Sequence, residues 1–129
     1  MSLANFDERQ PLIVVGQIVP ADTTTKKQLS GSLAGAGARL DNLLVTSTDV
    51  IDHKVDFWIN VAGVDYLIGS VDVPAGQGKG GTPAVDAGPI LYVAGAQGQV
   101  INTSLTFSFS CEVTVTAGAV QCVGVGGYF

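Results

Sequence analysis

Along most of this chain apolar residues alternate with Ser, Thr, Gly, Ala or a carboxylate at a period of two. Val55-Asp56-Phe57-Trp58-Ile59-Asn60-Val61 carries the pattern, and Leu105-Thr106-Phe107-Ser108-Phe109-Ser110-Cys111-Glu112-Val113 carries it again. Successive side chains of a β-strand point to opposite faces, so such alternation builds strands with one face in a core. Seventeen glycines and an excess of β-branched residues oppose helix throughout. The sequence therefore predicts an all-β domain of seven or eight short strands, an antiparallel β-sandwich of jelly-roll type.

Charge narrows the function. Only 17 of the 129 residues are charged (six Lys and Arg, eleven Asp and Glu), for a net charge of −5. A typical soluble domain has about twice that share. The outer faces must then be covered by small neutral groups, which suits a protein lying against other protein. No basic stripe is available to neutralise phosphates, so nucleic acid is not an expected partner. No apolar run approaches the ~18 residues of a membrane helix, so no membrane partner is expected. Met1 to Gln10 lacks the basic and apolar regions of a signal peptide, and the chain is expected to fold in a cytoplasm. Residues 1–10 are polar and aperiodic and read as an extended N-terminal arm; residues 11–129 read as the sandwich domain.

Leu12 to Val19 reads as a strand closed by Pro20, and Arg39 to Ser47 as another, with Leu43 and Val45 on one face and Leu40, Asn42 and Leu44 on the other. His53 to Val61 and Val64 to Val73 form a hairpin about an Ala62-Gly63 turn. Its expected register sets Val61 against Val64, Ile59 against Tyr66 and Phe57 against Ile68. A short strand is expected around Ile90, Leu91 and Tyr92, between the glycine loops 74–83 and 94–99. Leu105 to Val115 and Val120 to Val125 read as a closing hairpin. It would place Cys111 opposite Cys122, and Gly124 and Gly126 under Phe109 and Phe107. In a reducing compartment the two cysteines are expected as buried small hydrophobes; a cross-strand disulfide is the alternative.

Chemistry-bearing patterns are sparse. Gly76-x-Gly78-x-x-Gly81 has the letters of a dinucleotide fingerprint, but Thr82-Pro83 cannot open the helix that would meet a phosphate. The loop is expected to be mobile or ordered at an interface. Asp49, Asp52, His53 and Asp56 crowd one strand end, where a solvated loop explains the charges without catalysis or metal. Asn102-Thr103-Ser104 fits a glycosylation sequon, which means nothing without secretion. No catalytic residue, metal or cofactor is expected. Trp58 shares the nominal solvent face with Asp56 and Asn60 and pairs with Leu67, as an interface anchor would.

The phrases Asp22-Thr23-Thr24-Thr25-Lys26, Leu43-Leu44-Val45-Thr46-Ser47-Thr48-Asp49, Val61-Ala62-Gly63-Val64-Asp65-Tyr66-Leu67-Ile68-Gly69-Ser70-Val71 and Val73-Pro74-Ala75-Gly76-Gln77-Gly78 run on to a glycine-aromatic end. In these the chain resembles the capsid decoration (cement) proteins of tailed bacteriophages. The resemblance implies a small β-sandwich on the virion capsid surface, made in the host bacterial cytoplasm. Its partners would be the major capsid protein and its own copies, as a homotrimer, with a dimer the alternative. Phe6 and Arg9 of the arm, Trp58, Leu67, Tyr128 and Phe129 are the expected subunit or capsid contacts. A head- or tail-fibre component, or a receptor- or carbohydrate-binding module, is the second expectation.

Overall fold

The computed structural model describes residues 11–29, 38–91, 99–101 and 105–128. Nine strands are defined among them: β1 (Pro11–Ile18), β2 (Lys27–Gln28), β3 (Ala38–Ser47), β4 (His53–Val61), β5 (Val64–Val73), β6 (Val85–Asp86), β7 (Gln99–Ile101), β8 (Leu105–Cys111) and β9 (Val120–Tyr128). Two antiparallel sheets face each other, one ordered β1-β9-β3-β6 with β7 also paired to β3, the other β2-β8-β4-β5. Apart from the short β7, this is the jelly-roll order, in which the chain crosses repeatedly between sheets. The only helical turns among the described residues are 3-10, at Pro20–Asp22 and Gly88–Leu91. The second occupies the place where a strand around Ile90 and Leu91 was expected; Gly88-Pro89 stops pairing after two residues of β6. Tyr92 lies outside the described residues, as do the sequon 102–104 and most of the loop 94–99.

Both sheets send alternate residues inward. Val14, Ile18, Leu40, Leu43, Val45 and Cys122 meet Val55, Phe57, Phe107, Phe109 and Cys111 in one cluster. Phe57 pairs with Phe109 across β4 and β8, their rings stacked at 6.2 Å, and Phe107 tilts against Phe57 at 6.0 Å. Each fully buried Phe contributes about 1.5–3 kcal/mol.

Three expected registers need correction. In β3 an irregularity between Leu40 and Asn42 lets Leu40 share the buried face of Leu43 and Val45. A bulge opposes two residues to one, and so reverses the alternation locally. In the β4–β5 hairpin, Val61–Val64, Ile59–Tyr66 and Trp58–Leu67 pair as expected, but a bulge then sets Phe57 against Gly69 rather than Ile68. The third correction is topological. β8 and β9 form no hairpin: β8 pairs with β4 and β2, whereas β9 lies between β1 and β3 in the other sheet. Cys111 and Cys122 are therefore not opposite each other in a ladder, though both are buried free thiols, as expected.

The ring-over-glycine relationship exists at another glycine. A Cβ on Gly16 of β1 would lie 2.5 Å from Phe109 Cε1, whereas Gly124 backs onto Leu40 and Val14.

Candidate interaction surfaces

Of the carboxylates and histidine at the start of β4, Asp52 is exposed as a solvated loop end would have it, but Asp49 and His53 are not. Asp49 and His53 are buried, and His53 Nε2 lies 2.6 Å from Asp49 Oδ2. Asp49 also accepts the Thr116 N–H at 3.0 Å, the Thr116 hydroxyl at 2.6 Å and the Ala117 N–H at 3.0 Å. Burial pushes this carboxyl upward, but the hydrogen bonds from Thr116, His53 and Ala117 outweigh it and hold the group well below the usual carboxylate range. An ionised carboxylate only accepts, so Nε2 must carry the proton of the Asp49–His53 bond. His53 Nδ1 has no hydrogen-bond partner among the described residues. Both side chains are fully covered, so no substrate reaches this pair. Its geometric role is to join two crossings between the sheets, 48–52 and 112–119, which Thr48 and Ala119 also join: the Thr48 N–H donates to the Ala119 carbonyl and the Ala119 N–H to Thr48 Oγ1, each at 2.9 Å.

Asp52 and Asp56 go elsewhere. Asp52 accepts the Ala75 N–H at 2.8 Å, and Asp56 accepts from the Ser70 hydroxyl. Among the described residues no three His, Cys, Asp or Glu side chains are grouped to hold a metal ion. The loop 74–83 is bound by its own hydrogen bonds rather than left without local order. Thr82 Oγ1 accepts from Gly78 N–H and bonds the Lys79 carbonyl at 2.8 Å, and Gln77 O receives the Ser47 N–H at 2.9 Å.

Most of the exposed large apolar side chains fall in two areas, with Val50 and Val113 apart from both on the crossings 48–52 and 112–119. The first is the far end of the β4–β5 hairpin, where Val61, Val64, Tyr66 and Leu67 are 41%, 50%, 54% and 55% exposed. Trp58, paired with Leu67, is only half-buried, yet it is engaged within the subunit. Its Nε1–H donates to Ser110 Oγ at 2.9 Å, and Lys26 Nζ sits 4.0 Å from the ring centroid. Lys26 in turn pairs with Asp65 at 3.1 Å, and Asn60 donates to the same carboxylate. Those contacts hold Lys26 over the indole, while Leu67 beside it remains open.

The second area is the outer face of β1, β9 and β3, which the sequence reading did not single out. Ile13 pairs with Val125, itself opposite Asn42; Val15 pairs with Val123, opposite Leu44; Gln17 pairs with Gln121, opposite Thr46. Ile13 is 60% exposed, Val15 47%, and Leu44, Val123 and Val125 each 37%. No formal charge occurs in these three rows. A groove of about 690 Å³ borders them, lined by Val15, Gln17, Gln121 and Val123 and, from the next elements, Asp22, Lys27 and Gln28. The sequence did carry the signal. Ile13, Val15, Val123 and Val125 stand at positions that alternation assigns to solvent, where polar residues belong.

Of the contacts expected from the sequence, Leu67 is exposed and Trp58 beside it is partly covered. Phe6, Arg9 and Phe129 lie outside the described residues, as does the side chain of Tyr128 at the end of β9. No family model, no curated protein and no solved structure matches this chain.

Proposed function

We propose that this chain is a non-enzymatic structural protein of a bacteriophage virion, which binds the outer capsid surface and clamps neighbouring major capsid subunits. The observation carrying this reading is the pair of separated apolar surfaces, one at a hairpin end of one sheet and one on the outer face of the other. A domain with two such surfaces can touch two bodies at once. The resemblance to decoration proteins supplies the identity of the first body, the major capsid protein, and copies of this chain supply the second.

In this reading the hairpin end docks on the capsid. Covering the open halves of Val64, Tyr66 and Leu67 is worth about 1 kcal/mol each. Three kcal/mol is less than the ~4 kcal/mol of a millimolar contact, so one hairpin alone binds weakly. Linking several such contacts in one oligomer multiplies their affinities through effective concentration. That suits a clamp, which holds only where adjacent subunits stand at the correct spacing.

The test is co-sedimentation of the purified protein with empty mature heads of the phage that encodes it. Saturable binding is expected. A Tyr66→Ser, Leu67→Glu double variant should bind at least tenfold more weakly while melting at the same temperature. Absence of any binding by the unaltered protein would overturn the capsid reading and favour a fibre or receptor-binding component. Undiminished binding by the double variant would remove the hairpin end from the contact.

A further inference from the structure

We infer that the outer face of β1, β9 and β3 is a self-association surface, on which a second copy of this chain packs sheet against sheet across a two-fold axis running along β9. The inference deepens the self-association part of the reading above and replaces the expected homotrimer with a dimer.

Chemistry identifies the occupant. Each copy carries a net charge of −5, so two copies repel unless they meet where charge is absent. The three rows meet that condition across β1, β9 and β3, and the first charge, exposed Asp86 of β6 beside Leu44, stands at the edge of the patch. Their polar members are Gln17, Gln121, Thr46 and Asn42, whose amides and hydroxyl both donate and accept, and such groups can satisfy copies of themselves. Carboxylates or ammonium groups facing their own copies could not.

The pattern also selects the axis. A two-fold along β9 keeps each row facing the same row of the second copy. Val123 then meets Val123, Val15 meets Leu44, and Gln17 meets Thr46 of the second copy, apolar on apolar and amide on hydroxyl; in the remaining row Val125 meets Val125, and only Ile13 against Asn42 is mismatched. An in-plane axis perpendicular to the strands would instead lay the glutamine row on Ile13 and Val125. Packed sheets stand about 10 Å apart at roughly −30°, an angle that preserves this row matching near β9. An interface that uses the same patch on both copies closes as a dimer.

The area sets the strength. The three rows span residues 121–125 of β9, and strand spacings give three paired strands a footprint of about 250 Å² per copy. The rugged accessible surface exceeds that footprint but leaves the pair below the ~1,200 Å² lower bound of stable contacts, in the class of weak associations. A dissociation constant of about 100 µM is expected.

The experiment is sedimentation velocity on the whole chain from about 1 to about 500 µM, a span that brackets that equilibrium. Monomer at the low end and dimer at the high end are expected. Val123→Glu should stay monomeric throughout, and Leu67→Glu should dimerise as the unaltered chain does. Because a charged variant can misfold, Val123→Cys supplies a second readout. On mild oxidation it should form a disulfide-linked dimer at least tenfold faster than Leu67→Cys. A monomer at every concentration, a trimer, or equal cross-linking at the two positions would overturn the inference. A dimer that ignores phage heads would overturn the capsid reading and leave the dimer standing; a head-binding monomer would do the reverse.

Discussion

Asp49 Oδ2 and His53 Nε2 approach to 2.6 Å at the point where β3 gives way to β4, and the same carboxylate holds Thr116 and Ala117 from the connection before β9. With the Thr116 hydroxyl and the N–H of Val50, five donors converge on one buried side chain. One residue thereby ties together two of the chain's crossings between sheets.

Replacing Asp49 by Asn leaves some of those donors facing an amide N–H₂ group. A loss of about 3 kcal/mol is expected, in the range for breaking a buried charge network from one side. Its folded-state pKa lies below the ordinary 3.8, so its contribution is complete above that pH and is lost as pH falls toward the folded value. Urea unfolding between pH 7 and pH 2 should show a stability decline on the acid side that is shallower in Asp49→Asn. An unchanged acid slope would mean the carboxylate is not held as described.

The Ala62-Gly63 turn has φ of 53° and 85°, so both residues adopt the left-handed region. This two-residue geometry favours Asn-Gly, and Ala there is strained by its Cβ. Ala62→Asn is expected to stabilise the protein by about 0.5–1 kcal/mol. For a chain of this size that raises Tm by about 3 °C, measurable by thermal melting.

Gly16→Ala should act in the opposite direction. The added methyl would meet Phe109 Cε1 at 2.5 Å and Leu29 Cδ2 at 3.0 Å, against a ring with no exposed surface. Overpacking of this kind costs about 1–3 kcal/mol. A urea midpoint equal to that of the unaltered chain would show that the ring moves aside freely.

Burial pushes Cys111 up to about 11, with Asp49 and Asp56 adding to the shift, and pushes Cys122 up to about 12. At pH 8 about a thousandth or less of either thiol is ionised. Labelling by a thiol reagent should therefore be more than 100-fold slower in the folded protein than in urea. Because both values are raised, the stability they contribute is complete below pH 9.0 and is lost as pH rises through 11 to 12. Fast labelling of the native chain would place a sulfur at the surface.

What the sequence revealed follows from distance along the chain. The β4–β5 hairpin was legible because a two-residue turn fixes its first pairs; only the bulge beyond Trp58, which no residue type announces, displaced Phe57 from Ile68 to Gly69. Alternation also identified Phe107, Phe109, Cys111 and Cys122 as inward-facing. It could not say that they face inward from different sheets, since a short connection reads alike as a hairpin loop or as a crossing. The burial of Asp49 and His53 depends on Thr116 and Ala117, more than sixty residues away, and looked like surface charge. The outer face of β1, β9 and β3 was written in Ile13, Val15, Val123 and Val125. It became visible only when β9 was placed between β1 and β3, gathering separate outward valines into one area.

That placement of β9 also has a consequence in time. Among the described residues, the ladder pairs of β1 and most of those of β3 are with residues 120–128. On the ribosome, β1 and β3 must wait for more than seventy further residues before the strand between them exists. Nearly all the sequence-distant ordering of that sheet then falls on a single late event. Ending translation at residue 119 would leave two apolar strands with nothing to separate them, and the product expected is an aggregate rather than a weakened domain.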